Sequence, residues 1–489
     1  MQGSGCILKL TLFNNIKVMK SNQSTTSAPY PLRWTALFLL CIAQFIVIMD
    51  TSIIGVALPA IQSDLGYSQT GLQWIFNAYV IFFGGFLLLG GKLSDLIGAR
   101  KTFMWGFALL TLASLFAGVA WSDSALNTAR ALQGLGSAFI APAALTMVMT
   151  MFTDPQELGK AFGYWGAAAA AGGSAGVFLG GVITEWMSWE WIFLINIPIG
   201  LFVLIQSPKV LQKGTTQKGS VDMSGAIMAT SALVLMVYAI VSAESAGWLS
   251  YKTLGLLLVA VVLFSVFLVS QGRKKEPLLP LSIFKVPNLS AGNIITALLA
   301  GSWIPLWFYL NLYLQQVLHY TAFNSGLALL PMTLVIMIVM VGFTGKLVVK
   351  FGFKANLIAG LLFLTASLVL FSLVPVEGSF VTHVLPASLL GAVGMSLAYI
   401  PSTMAAMSGA KPEEMGLASG LVNTSYQIGS ALGLAVIVVI AAAKTSSVST
   451  VVASPQEGLV AGFQTAFTAA AVLSGLATLM TVFSIKTSK

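Results

Sequence analysis

An all-α membrane protein of about fourteen spanning helices, in two related six-helix bundles plus two linker helices, is the fold class this sequence predicts. Three observations point there: the composition, the recurrence of long apolar runs, and an internal repeat. Only 8% of the 489 residues are charged and 57% are hydrophobic, with a mean hydropathy of +0.91. A soluble domain carries about 25% charged residues, so this chain could not cover a water-facing surface. Apolar runs of roughly twenty residues recur along the whole length, each able to cross a hydrocarbon core of about 30 Å as a helix. Ten-residue alternation of the outer-membrane barrel kind is absent, which leaves helices to satisfy the backbone in lipid.

Taken in order, the spans fall near 34–58, 72–91, 102–121, 126–149, 160–183 and 191–207, then 221–243 and 253–272. Six more follow near 288–315, 324–345, 355–374, 384–405, 416–442 and 462–485. The division expected is a leader over 1–33, an N-terminal bundle over 34–207, two linker helices with their loops over 208–287, and a C-terminal bundle over 288–489. The first apolar run is too long for a cleavable signal peptide. Met1 to Val18 reads unlike the rest, and Met19 opens a more ordinary polar leader, so both start sites stay open.

Positive charge tests the span count. Of 24 Lys and Arg, Lys252 and Lys444 fall in alternate-side loops and Arg130 lies inside span 4; the others sit at the termini or in even-numbered loops, among them Lys92, Arg100, Lys101, Lys209, Lys213, Lys218 and Arg273 to Lys275. That asymmetry places both termini in the cytoplasm and requires an even number of spans. The net charge of +9 is thereby a topology signal, and no nucleic acid is needed to explain it. Cys6 and Cys41 give neither a disulfide framework nor metal spacing, and His319 and His383 have no metal-ligand spacing either.

The repeat is visible directly. Glu157, Gly159, Gly163, Gly172 and Gly176 recur 257 residues later as Glu414, Gly416, Gly420, Gly429 and Gly433. Gly91-Lys92-Leu93 with Gly98 recurs 254 residues on as Gly345-Lys346-Leu347 with Gly352. Both offsets carry span n to span n + 8, as a parallel duplication of six helices separated by two extra ones would.

Of the 15 acids, Asp50 alone lies deep within an apolar span. A carboxylate in hydrocarbon is costly, so its charge is conditional, and a group alternating between neutral and charged can couple proton entry to a conformational change. The alternative is a structural carboxylate at a local break or permanently paired with Arg130. Counting 1.5 Å per residue puts Asp50 roughly 24 Å and Arg130 about 22 Å above the inner edge, so the two share a depth. Arg130 snorkelling to the outer interface is the other reading. After span 2, Gly91, Asp95, Gly98, Arg100 and Lys101 form a charged segment with tight-turn glycines: a gate latch, or a plain topological anchor. Span 5 carries Gly172, Gly173, Gly176, Gly180 and Gly181, whose four-residue spacing allows close helix contact in a membrane.

Met49-Asp50-Thr51-Ser52-Ile53-Ile54-Gly55-Val56-Ala57-Leu58-Pro59, Gly91-Lys92-Leu93-Ser94-Asp95 with Gly98 and Arg100-Lys101, Arg130-Ala131-Leu132-Gln133-Gly134-Leu135-Gly136, Gly172 to Gly181, and Asn423-Thr424 with Gln427 and Gly429 follow one another in order. In that order and spacing they resemble the major facilitator superfamily, specifically its fourteen-spanner drug:proton antiporter family of multidrug efflux type. The resemblance covers nearly the whole chain after about residue 33. It implies proton transfer at the span-4 arginine, a seal between the halves at the span-5 glycines, and a cavity lined by spans 1, 4, 9 and 12. Candidates for that cavity are Gln44, Gln133, Trp303, Trp307, Tyr309, Asn311, Asn423 and Gln427, although Trp and Tyr also concentrate in interfacial belts. Departures are Leu96 and Ala99 where the family often has arginine, Val177 where it usually has proline, Tyr426 where relatives often have arginine, and Val349 where the second copy would carry the aspartate.

The function expected is proton-coupled export of amphipathic organic compounds or drugs from the cell inner membrane by alternating access, with small-molecule substrate, protons and lipid bilayer as partners. A proton gradient takes the place of any cofactor, and in a Gram-negative cell a periplasmic adaptor is a further partner. Uptake or facilitated transport of a specific metabolite is the alternative. A membrane-embedded enzyme or sensor is more remote, because the buried spans hold one acid, one arginine and no catalytic constellation.

Overall fold

The computed structural model describes residues 30–152, 154–214, 216, 220, 222–410, 415–449 and 454–486. Most of the expected leader, with Cys6 and Met19, lies outside the described residues, as do Lys218 and Glu414. The first half holds α1 in two pieces (Arg33–Ser52 and Ile54–Leu65), α2 (Trp74–Ile97), α3 (Ala99–Ala117), α4 (Asp123–Met151), α5 (Pro155–Trp186) and α6 in two pieces (Trp191–Leu194 and Asn196–Val210). Next come α7 (Met223–Ala246) and α8 (Tyr251–Arg273). The second half holds α9 (Leu289–Leu312, ending in a π-turn at Tyr313–Val317), α10 (Ala322–Val339, with a π-turn at Met340–Thr344), α11 (Gly345–Phe371), α12 (Leu385–Met407), α13 (Met415–Ser449) and α14 (Pro455–Ser484).

Among the described residues 12 runs are long and apolar enough to cross a membrane by length and composition. One of them, Ala322–Phe371, has 50 residues, about 75 Å as a helix and therefore two crossings, α10 and α11. With α3, 19 residues long, the number is the fourteen expected, and the chain is a multi-pass membrane protein. Side-chain caps open several of the helices. Ser122 accepts from the Ala125 N–H at 3.2 Å, Ser250 from Thr253 at 3.2 Å and Thr321 from Asn324 at 3.2 Å, each satisfying a first-turn donor. One expectation needs correcting. The span 2–3 loop is a single residue, Gly98, so Gly91 and Asp95 belong to α2 while Arg100 and Lys101 open α3.

The repeat governs packing. A Cβ on Gly172 or Gly176 of α5 would meet the Phe45 or Met49 carbonyl of α1, and one on Gly429 or Gly433 of α13 would meet the Ala297 or Gly301 carbonyl of α9. Gly106 of α3 lies against Gly136 and Ile140 of α4 as Gly360 of α11 lies against Gly394 and Ala398 of α12. Gly98 (φ 94°, ψ 136°) and Gly352 (φ 79°, ψ 161°) adopt one left-handed backbone conformation that only glycine takes without strain. At these glycines α9 and α11 to α13 therefore repeat the packing of α1 and α3 to α5.

Two seams join the halves: α2 against α13, and its copy α10 against α5. They differ at one end. Gly420 of α13 sits 2.8 Å from Leu88 of α2, measured from a Cβ placed there, whereas the copies of those two residues, Gly163 and Gly342, have nothing within 4 Å. At the other end the α5·α10 seam is shut, with Gly181 against Ala322, Gly326 against Val177, and the Trp186 and Phe323 rings 5.1 Å apart. The halves thus close on the side away from the basic loops, and the α5·α10 seam opens on the basic side.

Candidate functional site

Asp50 lies one turn above Ile46 on α1, on the face turned into its own half, and is fully buried. Arg130, two turns into α4, is the largest fully buried side chain among the described residues. Its Nη1 donates to Asp50 Oδ2 at 2.6 Å and to Gln133 Oε1 at 2.8 Å. Its Nε donates to the Ile75 carbonyl of α2 at 3.0 Å, and its guanidinium lies 4.5 Å from the Tyr79 ring centre and 5.9 Å from that of Phe193. The shared depth read from residue counting is therefore a direct contact. Charge, hydrogen bond and cation–π contact together offset the cost of taking both ions from water.

Asp50 Oδ1 receives two more donors, Gln133 Nε2 at 3.2 Å and Asn196 Nδ2 at 2.9 Å. Both amides also donate to Ser114 Oγ of α3, at 2.8 Å and 3.3 Å. Five helices of one half thus converge on a single carboxylate. Gln133 is fully buried and committed to this network; it does not face an open cavity. The second half holds no counterpart. By the matched contacts Asp50 aligns with Ser302, Arg130 with Ser388, Gln133 with Gly391 and Ser114 with Leu368. Asn196, Ser114 and Tyr79 were not singled out by sequence reasoning. Asn196 had a signal, as a lone amide in an apolar run, but it stands two residues before Pro198, where polar residues also serve chain geometry.

The remaining candidates lie apart from this centre. Asp95 is exposed, one turn from Lys92, whose Nζ reaches Glu276 Oε2 at 3.8 Å. Arg100 bonds the Pro208 and Leu211 carbonyls at the end of α6, at 3.3 Å and 3.1 Å, and Lys101 is exposed. Gly98 approaches the Lys213 carbonyl, whereas Gly91 meets only Pro142 at 3.9 Å. The segment therefore ties α2 and α3 to α6 and to the loop after α8. Gly172, Gly176 and Gly180 of α5 seal against α1 inside the first half, whereas Gly181 faces α10 across the seam.

Trp303 and Trp307 form an edge-to-face pair 6.1 Å apart. Tyr309 packs among Phe308, Phe463 and Phe467 inside the second half. Asn311 is buried against Gly55 of α1 and donates to the Trp307 carbonyl at 2.8 Å, and Gln315 just beyond donates to the Val56 carbonyl at 2.9 Å. These amides bind α9 to the outer part of α1, where the halves are shut. Gln427 is half-buried against Gly84 in the α2·α13 seam, Gln44 is half-buried on α1, and Asn423 is exposed.

Comparison with known proteins fits this geometry. The Major Facilitator Superfamily profile matches residues 40–434. The chain is 35% identical over 444 residues to the cephamycin export protein CmcT of Amycolatopsis lactamdurans, covering 90% of this chain and 91% of that one. It is 33% identical to the puromycin resistance protein pur8 of Streptomyces alboniger, covering 88% and 86%. With the tetracenomycin C resistance and export protein of Streptomyces glaucescens it shares 34% identity, covering 85% and 77%.

Proposed function

Because this chain belongs to the major facilitator superfamily, we propose that it is a proton-coupled secondary active transporter that exports amphipathic organic compounds, antibiotics among them, by alternating access. The observation that carries this reading is the buried Asp50–Arg130 pair: one titratable carboxylate, held entirely within one half, beside a seam that opens on one side only. Protonating Asp50 removes the charge that holds Arg130 and changes how α1, α4 and α6 fit together. The relatives named above for export of, or resistance to, cephamycin, puromycin and tetracenomycin C support organic antibiotics as the substrate class. The basic loops favour a cytoplasmic location for the open side and for both termini, in the cell inner membrane. A proton gradient then supplies the energy, with no cofactor and no enzymatic step.

Substrate-dependent proton movement in liposomes containing the purified protein, screened across a compound panel, tests the proposal. Compounds that are expelled should drive protons the opposite way, and Asp50→Asn should abolish the exchange. Movement of a single metabolite down its own gradient, with no proton exchanged, would replace export by uptake.

A further inference from the structure

The donors around Asp50 suit only its charged form. Arg130, Gln133 and Asn196 each present an N–H, so the carboxylate receives three hydrogen bonds. A protonated Asp50 carries an O–H of its own and needs an acceptor, which Arg130 lacks altogether. Gln133 turns its nitrogen to Asp50 Oδ1 and Ser114 and its oxygen to Arg130, so presenting the oxygen to Asp50 Oδ1 instead would break all three bonds. Ser114 Oγ already accepts from both amides. Asn196 differs: it is 1% exposed, and its Oδ1 is buried with no hydrogen-bond partner. Turning its amide by half a revolution exchanges a donor for an acceptor at the same place. The only other bond this breaks is the long one to Ser114, at 3.3 Å.

We propose that Asn196 is the positioning residue that answers the protonation of Asp50, donating to the carboxylate and, after its amide turns, accepting from the carboxylic acid. This rests on the proton-coupled reading of the site and adds to it a residue on α6. Asn196 follows Ile195, whose backbone stays helical (φ −59°, ψ −25°), and Pro198 brings no N–H to this turn, so one helical rung is missing beside Asn196. The neighbours leave the assignment clear. Among the described residues Arg130 of α4 is the one charged group bonded to Asp50, α2 contributes the titratable Tyr79 over the guanidinium, α3 brings Ser114, α5 brings Gly172 and Gly176, and α6 brings Phe193 besides Asn196.

Infrared difference spectroscopy of the purified protein in nanodiscs, titrated with acid, reads this without any transport. The carboxylic C=O band of Asp50 is identified by its loss in Asp50→Asn. In Asn196→Leu that band should move to higher wavenumber, because the acid has lost a partner. Its midpoint should move to higher pH, because the bond lost to the charged form is the stronger of the two. Asn196→Ser, whose hydroxyl both donates and accepts, should lie between Leu and wild type, and decides the question if Asn196→Leu does not fold. Proton-driven transport should fall about tenfold in Asn196→Leu, as expected for one hydrogen bond to a charged group, while substrate affinity stays near wild type. An unchanged band and midpoint in both variants would overturn the assignment. Because the titration needs no substrate, that result stands apart from failure of the export reading, which shows as an absence of exchange in wild-type liposomes.

Discussion

Asp50 and Arg130 each neutralise a charge that water cannot reach. Removing one strands the other, at a cost of about 3–5 kcal/mol. Asp50→Asn is expected to lower thermal stability by that order and to lose proton-driven transport. Adding Arg130→Gln should return the stability but not the transport, a separation that thermal scans and liposome flux measure independently. Full gradient formation by Asp50→Asn would leave the carboxylate a structural role alone. This pair was legible from residue counting, because depth in a membrane follows helix length and a lone acid or arginine stands out against apolar neighbours. Asn196, Ser114 and Tyr79 were not. Which way a side chain faces depends on the rotation of its helix, and a span that is apolar on every side carries little record of rotation.

At the scale of elements, some helix ends are fixed by polar clips that hydropathy does not see. Asp222 caps α7 at the Gly225 N–H and binds Gln271 and Lys274 at the end of α8. Burial alone would push its carboxyl up, but the donors from Gln271, Lys274, Gly225 and Ser224 outweigh it and hold the pKa at about 2. A carboxyl held below its unfolded value contributes stability that is complete above about pH 4 and is lost as pH falls toward about 2. Thermal scans of wild type and Asp222→Asn should therefore differ at neutral pH and converge in acid; a constant difference would mean the clip acts by packing. The span count and the glycine repeats could be read from sequence. The partners of Lys92 and Arg100 could not, since a loop length says nothing of where a neighbouring helix ends. Glycines test the contacts directly. Gly172→Ala should cost about 1–3 kcal/mol by forcing α5 off α1. Gly163→Ala, in open space, should stay within about 0.5 kcal/mol of wild type. Gly98→Ala and Gly352→Ala should each cost about 1–3 kcal/mol through backbone strain, and a neutral result at either would show that the turn can be remade.

Across the whole molecule, two copies of one packing scheme meet at two seams, one shut along the length described and one open at its basic-side end. Spin labels at Gly163 and Gly342 should report a long separation in this state and a shorter one when the opposite side opens, while labels at Trp186 and Phe323 move the other way. Distances that change together, or not at all, would rule out rocking about a fixed centre. Because the ionic centre exists in one copy only, the two halves face unequal selection. On the proposed coupling, substitutions that disturb the Asp50 centre from α1, α4 or α6 cut the energy supply for every compound the protein handles. Substitutions in α9, α12 or α13 away from the two seams leave that centre intact. A population exposed to a new toxic compound is therefore expected to adapt through the second half first, broadening or redirecting its resistance while the first half is inherited unchanged.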